Sequence, residues 1–202
     1  MKVGILGGSF NPIHNAHIQL SEYVIKKINL DKMILVPAGD NPFKVSDDRI
    51  KRSDRYHMVE LAIDDKEKYE ISDIEINKPG NTYTVDTLIE LRKKFDYDFY
   101  FIMGSDLLPT LTEWKMFSEL CKLTKFVVLK RKGVPNYEVI KQCEFLYKEY
   151  GANIIIFDDY YIDNISSSML REKLALKDIN IKEYLDSKVY DYIMKEELYF
   201  GN

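Results

Sequence analysis

"GILGGSFNPIHNAH", residues 4–17, sets two of the chain's three histidines three positions apart, just beyond a Gly-Gly pair. The apolar run 3–6 before them reads as a buried strand, and 18–28 after them repeats apolar residues at helical spacing. The stretch therefore predicts a strand, a glycine turn and a helix opened by His14 and His17. Neither G-x-G-x-x-G nor G-x-x-x-x-G-K-[ST] fits its spacing, so the two common phosphate loops are excluded. Gly7 and Gly8 let backbone come close to a ligand, and the free N–H groups of a helix N-terminus favour an anion. At i and i+3 the two imidazoles share one face of the first turn, an arrangement that suits a triphosphate. A pair of structural histidines satisfied by backbone is the alternative that this short motif leaves open. No metal site is expected: His57 lies on another predicted helix, and Cys121 and Cys143 lack ligand spacing.

Outward from this stretch, short β-rich runs at 2–6, 32–37, 69–76, 98–103, 125–129 and 153–157 alternate with helical patterns. The helices are expected near 15–28, 49–64, 84–95, 112–121, 137–150 and 167–176. The alternation predicts an α/β fold, a Rossmann-like, doubly wound, mostly parallel sheet with helices on both faces. Ligands of such sheets bind beyond the carboxyl ends of the strands. The segment 181–198 is helical in pattern but stands outside the alternation, so a single domain over 1–202 with a short C-terminal helical appendage at about 181–202 is expected.

The 202 residues carry a formal charge of −4, with 46% hydrophobic and 31% charged residues, the composition of an ordinary globular chain. Such a balance offers no general field for a nucleic-acid backbone or an anionic membrane, and neither is expected as a partner. No apolar run approaches the length of a bilayer span, no signal peptide opens the chain, and the two cysteines are far apart. A reduced, cytoplasmic protein is the expectation, with self-association into a homo-oligomer left open.

"GGSFNPIHNAH" is similar to the GG-[ST]-F-[DN]-P-x-H-x-[GA]-H opening of the nucleotidyltransferase superfamily, and "ISSSMLR", residues 165–171, resembles its I-S-S-T-x-[IL]-R motif. Between them lie "PAGDNPFK" (37–44), "TYTVDTL" (82–88), "FIMGSDLLPTLTEW" (101–114) and "LKRKG" (129–133). In that order and spacing they resemble the bacterial nicotinate-nucleotide adenylyltransferases along nearly the whole chain. The resemblance implies transfer of AMP from ATP to nicotinate mononucleotide, giving nicotinate adenine dinucleotide and pyrophosphate, with Mg²⁺ arriving on ATP. No enzyme nucleophile is implied, and neither a G-x-S-x-G elbow nor a cysteine beside a histidine occurs in the sequence.

By the same resemblance His14, His17, Lys44 and Arg171 are the catalytic candidates. Gly7, Ser9, Phe10, Gly104, Asp106, Ser166 and Ser167 join His14, His17 and Arg171 around ATP, with Phe10 contributing backbone. Gly8, Ser9, Lys44, Thr84, Trp114 and Lys115 would take nicotinate mononucleotide, Trp114 stacking on the ring while Thr84 and the Lys115 backbone N–H meet its carboxylate. Taken singly, each has a plainer reading: Ser166 to Ser168 as an N-cap cluster, Lys44 and Arg131 as solvated charges, Trp114 as core, Asp106 as a cap. Asn11, Ala16, Ser168, Phe43, Lys115 and Asp186 depart from the residues usual in the family, and the extra cation at Lys115 is expected, if anything, to strengthen selection of an acid. Nicotinamide mononucleotide or phosphopantetheine as acceptor, and a nucleotide-binding regulator without turnover, are the competing readings.

Overall fold

The computed structural model describes residues 1–39, 50–130, 135–160 and 165–201, together with the backbone but not the side chain of Ile179. Lys44, Phe43 and Arg131 lie outside the described residues. Strands β1 (Lys2–Gly8), β2 (Lys32–Pro37), β3 (Tyr69–Ile71), β4 (Asp98–Gly104), β5 (Lys125–Leu129) and β6 (Ile154–Phe157) form one sheet in the order β3-β2-β1-β4-β5-β6. Every neighbouring pair is parallel. The expected doubly wound topology is thus present, and its direction of winding reverses between β1 and β4.

Strict alternation of side chains divides the core. Leu6, Met33, Leu35, Tyr100, Ile102, Val127 and Leu129 point to one face, against helices α1 (Asn15–Ile28), α2 (Arg52–Ile63), α6 (Ser167–Ala175) and α7 (Ser187–Lys195). Val3, Ile5, Ile34, Val36, Phe99, Phe101, Phe126 and Val128 point to the other, against α3 (Thr84–Lys94), α4 (Phe117–Leu123) and α5 (Asn136–Tyr150). Near-continuous apolar strands are what burial on both faces demands. Helix ends follow local chemistry: Asn29 and Gly151 take the left-handed conformation that closes α1 and α5, and Lys26 and Lys27 sit at the negative end of α1. No described helix is long and apolar enough to cross a membrane.

Two expectations on element boundaries change. The strand expected at 69–76 stops at Ile71, because 73–78 turns back on itself through Asn77 N–H to Asp73 O and Lys78 N–H to Glu75 O. The helix expected at 112–121 divides into a 3-10 segment, Ser105–Glu113, and α4, since Trp114 is extended and Met116 left-handed (φ 52°). The C-terminal segment is helical as expected, over Ile179–Tyr184 and Ser187–Lys195, and it sets Ile181, Leu185, Val189 and Ile193 into the core, with α7 beside α2. Asp186, one of the departures, caps α7 by accepting from the Lys188 N–H at 2.8 Å.

Candidate active site

β1 and β4 pair only from Lys2 opposite Asp98 to Ile5 opposite Phe101, so beyond that point the two central strands separate. Gly7 and Gly8 finish β1, and Gly104 finishes β4. At the end of β1 the chain turns through Ser9, left-handed Phe10 (φ 45°) and a cis Asn11-Pro12 bond before entering α1. Phe10 is almost wholly buried there.

His14 is the N-cap of α1 and His17 the third residue of the helix. His17 N–H donates to His14 O at 2.9 Å, and His14 N–H donates to His17 Nδ1 at 3.2 Å. With Nδ1 occupied as an acceptor, the neutral His17 ring carries its proton on Nε2. The two rings lie 3.7 Å apart between centroids, and Phe10 meets His17 edge-on at 5.1 Å. His14 is 6% exposed, and burial lowers its pKa to about 4, so it is neutral near pH 7. Among the described residues its buried Nδ1 has no hydrogen-bond partner.

The first turns of α6 abut the same loop. Ser166 caps α6, its Oγ accepting from the Met169 N–H at 3.2 Å, while Ser167 Oγ donates to Pro12 O at 2.9 Å. Arg171 spans the junction, Nη1 donating to Asn11 O at 2.8 Å and Nη2 to Ser168 Oγ at 3.1 Å. The N-termini of α1 and α6 are therefore joined through one loop, two positive dipole ends beside one strand opening. Asp106 lies exposed in the first turn of the 3-10 segment that follows Gly104.

Thr84 is the first residue of α3. Trp114 is half-buried and stands edge-on to Phe101 at 5.8 Å between centroids. The Lys115 ammonium is engaged, 2.9 Å from Asp86 Oδ2 and 4.6 Å from the Tyr83 ring centroid. Its charge is balanced by that carboxylate, which corrects the expectation that it adds a cation for an acidic ligand.

Sequence reasoning missed residues that hold these parts together. Arg55 is buried and donates to Ser9 O and Ala38 O, both at 2.7 Å, tying the ends of β1 and β2. Glu75 accepts from Thr82 Oγ1 at 2.8 Å and Thr87 Oγ1 at 2.7 Å, which fixes the approach to α3. The backbone of Glu75 also passes so near Gly39 that a Cβ there would lie 2.5 Å from its carbonyl oxygen. Nothing local marks Arg55 or Glu75, because a charged residue in a helix or turn reads as solvated surface. Among the described residues no cluster of His, Cys, Asp and Glu could hold a metal ion.

The sequence profile of the cytidylyltransferase-like family matches residues 5–173. A "Probable nicotinate-nucleotide adenylyltransferase" of Clostridium acetobutylicum is 40% identical over 199 residues, covering 98% of each chain. A protein of the same name from Clostridium botulinum is 36% identical over 197 residues, covering 96% of this chain and 97% of its own. Among solved structures, Plasmodium falciparum nicotinic acid mononucleotide adenylyltransferase complexed with NaAD superposes with a TM-score of 0.79 at 26% identity, over 98% of this chain and 97% of its own. The same Plasmodium enzyme complexed with APC gives 0.75 at 25% identity, over 98% and 96%.

Proposed function

The chain belongs to the cytidylyltransferase-like family, among the nicotinate-nucleotide adenylyltransferases, and from that premise we propose that it transfers AMP from ATP to nicotinate mononucleotide. A phosphate oxygen of the mononucleotide attacks the α-phosphorus of ATP in line. The bond from that phosphorus to the bridging oxygen breaks, and pyrophosphate leaves with the electron pair. No covalent intermediate forms on the protein, so its work is to position the two substrates and to neutralise developing charge.

One observation carries this reading: the His14 N–H on His17 Nδ1, beside the separated ends of β1 and β4, makes the neutral His17 ring an Nε2–H donor, the form suited to a phosphate. His17 would meet the α-phosphate and the leaving pyrophosphate, with His14 beside it. Gly7, Ser9 and the Phe10 backbone would line the nucleotide path, Gly104 and Asp106 the adenosine ribose. Ser166, Ser167 and Arg171 bring the N-terminus of α6 to the triphosphate. Lys44 would add a cation over the reacting phosphates. Mg²⁺ enters as part of the MgATP substrate, held mainly by phosphate oxygens and water.

For the acceptor, Gly8 and Ser9 line the shared pocket and Trp114 stacks on the pyridine ring. Thr84 and the Lys115 backbone N–H donate to the ring carboxylate at the positive end of α3. Incubation with ATP, Mg²⁺ and each pyridine mononucleotide in turn, followed by detection of pyrophosphate and dinucleotide, tests the assignment. Product from the nicotinate compound is expected; turnover with the nicotinamide compound alone overturns it.

A further inference from the structure

The last stretch of the chain returns to the histidine loop. Leu198 N–H donates to Ile193 O at 3.0 Å and Phe200 N–H to Glu197 O at 3.5 Å, folding the segment against the end of α7. Glu197 and Tyr199 both hold left-handed backbone, φ 52° and 70°, a conformation costly for residues with a side chain. The result is that the Tyr199 hydroxyl donates to Asn11 Oδ1 at 2.7 Å, while the ring packs on the core with its oxygen 4.0 Å from the Met58 sulfur. The backbone oxygen of the same Asn11 accepts from Arg171 at 2.8 Å. Asn11 is thereby gripped at side chain and main chain by residues 188 and 160 positions away.

We infer that Tyr199 is a positioning residue, which acts through Asn11 to clamp the loop before α1 so that the His14 N–H stays on His17 Nδ1. Loosening Asn11, three residues before His14, frees the loop whose last amide sets the His17 tautomer. Arg171 alone holds one atom of Asn11 and allows rotation about that bond; two anchors do not. The catalytic consequence rests on the adenylyl-transfer reading, whereas the clamp itself rests on the hydrogen bonds.

The test uses the full chain. Tyr199→Phe keeps the ring and removes only the hydroxyl, so a role confined to packing leaves it unchanged. In long-range ¹⁵N–¹H spectra of the imidazoles, His17 should show a single Nε2–H tautomer in the wild type and a mixture in Tyr199→Phe. Release of pyrophosphate should fall about tenfold in kcat, with KM for ATP within about twofold. Asn11→Leu should give the same mixture, and adding it to Tyr199→Phe should cost nothing more, because both remove one contact. Asn11→Asp keeps an acceptor and should keep the single tautomer. An unchanged His17 spectrum in Tyr199→Phe, or losses that add in the double variant, overturns the clamp. A tautomer mixture in Tyr199→Phe together with a wild type that makes no product from nicotinate mononucleotide overturns the substrate reading and leaves the clamp standing.

Discussion

The backbone N–H of His14 donates to Nδ1 of His17 at 3.2 Å, which makes one histidine's main chain the switch for the other's tautomer. With Nδ1 accepting, the His17 imidazole is an Nε2–H donor without being a cation, the form in which it would meet a phosphate under the proposed reaction. A neutral donor strengthens its hydrogen bond as charge develops and leaves the ground state less tightly held, the differential that accelerates a reaction.

His17→Ala should therefore lower kcat by about 10² or more, with a smaller change in KM for ATP. Because His17 also accepts from the helix cap, a loss of about 1 kcal/mol in stability should accompany it. Steady-state kinetics beside urea unfolding separate the two effects, and a folded variant with wild-type kcat removes His17 from the chemistry.

Arg171→Lys should reduce turnover about tenfold although the charge is kept. The guanidinium donates from separate nitrogens to Asn11 O and Ser168 Oγ, a fork that one ammonium cannot reproduce while also meeting phosphate. Full activity in the lysine variant would mean that charge alone suffices.

His14 makes stability depend on pH. Its pKa falls from 6.5 to about 4 on folding, so between those values the unfolded chain binds a proton that the folded chain does not. Its contribution is complete above pH 6.5 and declines as the pH falls toward 4, by about 3 kcal/mol in all. Urea unfolding at pH 7, 6 and 5 should show this decline, and His14→Asn should flatten it. Equal slopes in the two proteins would assign the acid sensitivity elsewhere.

Arg55→Met should destabilise the fold by about 3 kcal/mol, since the Ser9 and Ala38 carbonyls lose a buried charged donor. Denaturant melts measure it directly. A loss below about 0.5 kcal/mol would show that water replaces the guanidinium.

Selection of the acid acceptor over the amide should reach about 10² in kcat/KM, because donors at the start of α3 leave an amide NH₂ unpaired. Lys115→Met should change that ratio less than about threefold, as the ammonium is already balanced by Asp86. Competition assays with both mononucleotides decide both points, and a collapsed ratio in the variant would return the Lys115 charge to the specificity.

Much of the molecule is written locally. Near-continuous apolar runs such as 98–103 and 125–129 announce strands buried on both faces, and the apolar spacing after His17 announces α1, because these patterns act within a few residues. The pairing of His14 with His17 is legible for the same reason, lying within one helical turn. Even the plain reading of Ser166 as a cap is visible in sequence and present in the fold.

What tertiary structure alone decided lies between residues far apart in the chain. Lys115 reads as a spare cation until packing sets it beside Asp86; Arg55 reads as surface until the ends of β1 and β2 close over it. The helical pattern of 181–198 is legible in the sequence, but the contact of Tyr199 with Asn11 is not. A hydrogen bond forms only when its atoms come within about 3 Å. Local periodicity extends over a turn or a strand, and only the crossing of the chain through the sheet brings positions 11, 171 and 199 to that distance.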